Sequence, residues 1–73
     1  MNITINGESF KTSSNRISYT GICNLLGLDR SDYSISYLAK LDGDSYKQGT
    51  LILNQAVDLV EGMAFSCYLT NNA

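Results

Sequence analysis

Ile3 and Ile5 alternate with Asn2, Thr4 and Asn6 at the head of the chain. A period of two puts both isoleucines on one side of a β-strand. Asn6-Gly7 follows at once, and this pair favours a tight hairpin because both central positions of such a turn take positive φ. Residues 9–12 read as the returning strand, with Phe10 turned inward, and 13–15 as a loop. The period then changes. Tyr19, Ile22, Cys23 and Leu26 recur at three- and four-residue intervals, and Leu25 widens the stripe. That spacing predicts an amphipathic helix over 19–26. Ser18 offers the N-cap hydroxyl, and Gly27 stands where a left-handed C-cap is wanted. Gly21 inside the helix costs about 1 kcal/mol relative to Ala, so packing must hold the segment together.

Alternation returns in Tyr33-Ser34-Ile35-Ser36-Tyr37-Leu38, which is rich in strand formers. Asp42-Gly43-Asp44 is a turn. Residues 50–53 and 56–60 read as short extended pieces, 61–62 as a turn and 64–70 as the last strand. On that strand Phe65, Cys67 and Leu69 share one side, and Tyr68 takes the other. The expected core is Ile3, Ile5, Ile22, Leu26, Ile35, Phe65, Cys67 and Leu69. Strand, strand, helix and more strands is an α+β order: a mixed sheet of four to five strands packed on one short helix. The chain between the first and last strands is long enough for the crossover that a parallel pairing needs.

Seventy-three residues make room for one domain. A domain of this size buries only about 60% of its unfolded surface, so each large apolar side chain matters. Five Lys or Arg against seven Asp or Glu leave a net charge of −2. That balance points away from nucleic acid and from anionic membrane surfaces, which call for basic faces. Residues 2–6 lack the basic start and apolar run of a signal peptide, and no stretch approaches the roughly 20 apolar residues of a membrane span. A cytoplasmic location is therefore expected.

No histidine is present, so neither a Ser-His nor a Cys-His pair can form. Cys23 and Cys67 read as small core residues that face each other between helix and last strand, and two cysteines alone cannot build a structural zinc site. No catalytic residue, metal or cofactor is expected. Glu8, Asp29, Asp32, Asp42, Asp44, Asp58 and Glu61 read as solvated residues of turns and outer faces. Asp42-x-Asp44 opens like a calcium loop but lacks the later ligands. Tyr33 and Tyr37 share a strand face with Ile35 and read as packing residues. Tyr68 is an aromatic on the polar phase of its strand. With Leu38, and with Thr70 beside it, it marks a candidate partner-binding patch.

Four segments carry a resemblance: Ile3-Thr4-Ile5-Asn6-Gly7, the helix from Ile17-Ser18-Tyr19 to Leu26-Gly27-Leu28, Tyr33-Ser34-Ile35-Ser36-Tyr37, and Val60-Glu61-Gly62-Met63-Ala64-Phe65. Together they resemble ubiquitin-like β-grasp proteins, most closely the bacterial multi-ubiquitin type of modifier. The resemblance implies a β-grasp domain over 1–70 and a flexible tail over 71–73. It also implies activation of the terminal carboxylate by an adenylating enzyme, transfer with a conjugating-like enzyme, and processing by a peptidase. Asn71, Asn72 and Ala73 would be the conjugation and processing residues, with the reactive end on Ala73, or on Asn72 after trimming. Ubiquitin and the sulfur carriers end in Gly-Gly, whereas these residues are Asn-Asn-Ala. A β-grasp interaction domain that is not conjugated is the alternative.

Overall fold

A computed structural model describes residues 1–28 and 32–69. The chain forms β1 (Asn2–Ile5), β2 (Glu8–Lys11), β3 (Arg16–Ser18), α1 (Tyr19–Leu25), β4 (Tyr33–Lys40), β5 (Tyr46–Leu51), β6 (Ala56–Asp58) and β7 (Met63–Leu69). Five strands make a mixed sheet in the order β2-β1-β7-β4-β5, and β3 pairs with β6 as a separate two-stranded ribbon. The architecture is α+β with one short helix, as the alternation and the helical stripe predict.

The opening hairpin closes at Asn6 and Gly7, with φ of 54° and 83°. It sets Ile3 opposite Phe10. The last strand lies parallel to the first, with Ile3 beside Met63 and Ile5 beside Phe65. On its other side β7 runs antiparallel to β4, pairing Cys67 with Ile35 and Phe65 with Tyr37. The rings of Tyr37 and Phe65 stand 6.3 Å apart at 51°, a tilted pair. Across the β4–β5 pairing Tyr37 faces Gly49. A Cβ on Gly49 would come within 2.7 Å of the Tyr37 hydroxyl, so the ring occupies the space that this glycine leaves open.

Helix α1 starts as expected. The Ser18 hydroxyl accepts from the Gly21 amide. The helix ends at a C-cap on Leu26, followed by Gly27 with φ of 72°. Ile22 and Cys23 drive into the core, where they meet Ile3, Ile5, Ile35, Phe65 and Cys67. Four parts of the expected packing need correction. Leu69 is 51% exposed, because it pairs with Tyr33 at the rim where the sheet ends. Leu26 is only half-buried against the core, and Leu25 is exposed, since a helix of seven residues covers little of the sheet. The extended piece expected over 50–53 is instead β5, spanning Tyr46–Leu51, and Ile52 and Leu53 are exposed beyond it in a turn where Asn54 takes φ of 71°. Asp32, expected to be solvated, is half-buried near Tyr19.

Met63, Leu51, Val57, Leu59, Ala39 and Tyr19 complete the core. Tyr19 also makes a polar contact deep in the structure. Its hydroxyl donates to the Tyr33 carbonyl at 2.7 Å and accepts from the Tyr33 amide at 2.9 Å. One phenol thereby stands in for a strand neighbour at the start of β4. Among the described residues no helix is long and apolar enough to cross a membrane.

Candidate functional site

The core covers one face of the five-stranded sheet. The opposite face carries the alternate residues of each strand, and the pairings align them in rows. Lys11 lies beside Asn2 in one row, and Lys40 beside Tyr46. Ser9, Thr4, Ala64, Leu38 and Gln48 form the next. Ser66, Ser36 and Thr50 form a third, and Tyr68 with Ser34 a fourth. The side chains of the middle rows are neutral. Small residues at Ala64, Ser66 and Ser36 let the face sink into a shallow depression of about 480 Å³ walled by Leu38, Gln48 and Thr50.

Leu38 and Tyr68 both point outward on this face, 46% and 58% exposed. They do not touch as neighbours: the Ser36–Ser66 pair lies between Leu38 opposite Ala64 and Tyr68 opposite Ser34. Leu38 is part of the wall of the depression, and Tyr68 stands two rows along the same face, opposite Ser34. Thr70, Asn71, Asn72 and Ala73 lie outside the described residues. Tyr46, Gln48 and Thr50 also belong to this face, and nothing in the apolar pattern pointed to them. Their strand has one large apolar inward residue, Leu51, so its alternation carries little contrast. Ser34 and Ser36 were visible as the polar phase of β4, but only the register shows what each meets.

The two thiols sit on the other side of the sheet. Cys23 and Cys67 are buried, and neither is in a disulfide. Burial raises both thiol pKa values, and the nearby Cys23 raises that of Cys67 further. A thiol held protonated is a weak nucleophile, which suits packing residues. Burial likewise raises the Tyr19 phenol, while its bond to the Tyr33 backbone pulls it back. Among the charged groups, Arg16 and Asp58 form an exposed ion pair at 2.8 Å on the ribbon, and Glu61 accepts from the Asn2 amide. Among the described residues no group of three or more Cys, Asp or Glu side chains is placed to hold a metal ion.

No protein-family model matches the chain, and neither a curated protein nor a solved structure does.

Proposed function

We propose that this chain is a protein-recognition module of the ubiquitin-like β-grasp type, without catalytic chemistry of its own, which docks a partner on the open face of its sheet. The observation that carries this reading is that face itself. Exposed Leu38 walls a neutral depression that also holds small and hydroxyl side chains, and exposed Tyr68 stands on the same face two rows away. Aromatic and aliphatic anchors around a neutral centre are what protein interfaces use for affinity, with hydroxyls adding directional bonds. The β-grasp reading is supported by the hairpin, the helix that follows it, and the parallel β1–β7 pairing at the centre of the order β2-β1-β7-β4-β5.

The test compares the chain with its Leu38→Asp and Tyr68→Ala variants as baits against the proteins of its host. Both side chains are exposed, so each substitution changes stability by less than about 0.5 kcal/mol. A true partner binds the parent chain and loses about 1–2 kcal/mol or more of affinity with either variant, as a hot spot would. A partner that binds all three chains equally refutes the docking face.

A second reading is favoured by the position of β7. The last strand lies in the middle of the sheet, between β1 and β4, and reaches the rim at an exposed Leu69. In this reading the module is a protein modifier. Its carboxylate takes an adenylyl group from ATP with loss of pyrophosphate. A nucleophile then attacks the acyl carbon, AMP leaves, and an amide or ester forms. Incubation with an adenylating enzyme of the host, a conjugating-like enzyme and ATP should give adducts with the parent chain. A version lacking residues 71–73 should give none. Equal adducts from both, or none from either, would remove this reading.

A further inference from the structure

The two edges of the sheet are built differently. Strand β2 has four residues, carries Glu8 and Lys11, and is braced at its end by the Met1 amino group on the Thr12 carbonyl and by the Thr12 amide on the Met1 carbonyl. Strand β5 has six residues, and its only charge, Lys47, is turned to the core side, where it donates to the Asp58 carbonyl at 2.9 Å. Among the described residues no other backbone segment bonds to β5 besides β4. Exposed apolar side chains gather on this side: Leu38 and Leu41 of the hairpin, Tyr46 at one end of β5, and Ile52 and Leu53 at the other. An edge strand presents unpaired amides and carbonyls, and natural sheets blunt such edges with charge, proline or a bulge. Strand β5 has no proline, no bulge and no charge on its outer face, and its one inward-pointing charge, Lys47, is held by the Asp58 carbonyl.

We propose that β5 is a self-pairing edge through which two copies of this chain join antiparallel into one continuous sheet. The occupant is a second copy because the strand is complementary to itself. A two-fold axis normal to the sheet keeps both outer faces on the same side, so only residues of the same strand phase can stand opposite each other. Centred on Gly49, such a pairing sets Gln48 against Thr50 within the strand, and Tyr46 against Ile52, the first residue beyond its end. The latter two are exposed apolar residues, 56% and 54%. Lys47 then faces Leu51, so no like charges meet. The acidic turn with Asp42 and Asp44, at the Tyr46 end, lies across from the uncharged 52–54 segment of the partner copy. Backbone bonds supply the attraction, and the two apolar end pairs set the register. The dimer would carry its two sheet-face depressions side by side. This pairing stands independently of the docking reading.

The test is sedimentation of the full chain up to millimolar concentration, with amide hydrogen exchange measured across the same range. The mass should rise toward that of two chains, and protection of the β5 amides should rise with it while β2 stays unchanged. Gln48→Lys with Thr50→Lys places like charges opposite each other in both copies and should leave a monomer with an unchanged circular dichroism spectrum. Gln48→Glu with Thr50→Lys should restore the dimer and shows that the first pair failed through charge and not through misfolding. A monomer at all concentrations overturns the proposal. So does a dimer that protects β2 instead, that is indifferent to both charge variants, or that is broken by Tyr68→Ala, which would mean the copies meet face to face.

Discussion

Asn6 does two things at once. Its φ of 54° opens the hairpin. Its side chain then reaches across to β7, where Nδ2 donates to the Cys67 carbonyl at 3.0 Å and Oδ1 accepts from the Cys67 amide at 2.9 Å. The side-chain amide thereby copies a peptide group and prolongs the β1–β7 pairing beyond the last residue of β1. The dipeptide signal accounts for the turn but not for this second contact, which depends on a residue 61 positions away. Asn6→Gly separates the two roles. Glycine keeps the positive φ without strain, but the Cys67 amide and carbonyl, both part-buried, lose their partner. The expected cost is about 1–3 kcal/mol, read from urea unfolding. A change of a few tenths would mean that water replaces the amide.

At the scale of elements, the helix and β5 show why local pattern is not sufficient. Seven residues are too few to form a stable helix alone, since isolated helices shorter than about 12–15 residues are marginal. Helix α1 exists because Ser18 caps it and because Ile22 and Cys23 are buried. Gly21 is an apparent weakness that the structure explains. A Cβ there would come within 2.9 Å of Cγ1 of Ile17, which packs over the first turn from β3. Gly21→Ala therefore gains about 1 kcal/mol of helix propensity and loses about 1–3 kcal/mol to crowding. The net expectation is a loss of roughly 1 kcal/mol. On an Ile17→Ala background the 2.9 Å contact is gone and only the Ser18 hydroxyl at 3.3 Å must give way slightly, so the same substitution should instead stabilise the protein. A double-mutant cycle with the same sign in both backgrounds would refute this account. Strand β5 is the opposite case. Its sequence, Tyr-Lys-Gln-Gly-Thr-Leu, has little apolar alternation, and it becomes a strand because β4 offers it a full ladder of partners from Ile35 to Lys40.

At the scale of the whole molecule, three ionisable groups share one apolar core. Tyr19, Cys23 and Cys67 are buried together, and the thiols add to the rise of the Tyr19 phenol, mainly caused by burial. Each has its folded pKa raised above its ordinary value. For an acid this means the native state holds a proton that the unfolded state releases. The stabilising contribution is full below the ordinary thiol value of 9.0 and is lost as pH rises above it. Stability should thus be flat in these groups at neutral pH and fall through the alkaline range. Cys23→Ala with Cys67→Ala should flatten the fall near pH 9, leaving the part due to Tyr19 that starts near its ordinary value of 10.0. Urea midpoints from pH 7 to 10.5 (~1.4 kcal/mol for each unit of pKa difference) would check it. An unchanged slope in the double variant would show that the thiols ionise freely in the folded protein.

Short-range periodicity was enough to reveal the class of fold, the hairpin at Asn6-Gly7, the cap at Ser18, the stop at Gly27, and most of the core on β1, α1, β4 and β7. These features depend on residues within a few positions of one another, where dihedral preference and burial phase act together. Tyr68 and Leu38 were legible as apolar residues in a polar phase for the same reason. Three-dimensional packing settled what no local window contains. It exposed Leu69, because a strand's inner phase is buried only where the helix layer extends over it. It turned Tyr46–Leu51 into an edge strand, and it placed Leu38 in the wall of a depression with Tyr68 two rows away instead of beside it. Those outcomes depend on register, and register is set by pairings between residues far apart in the chain.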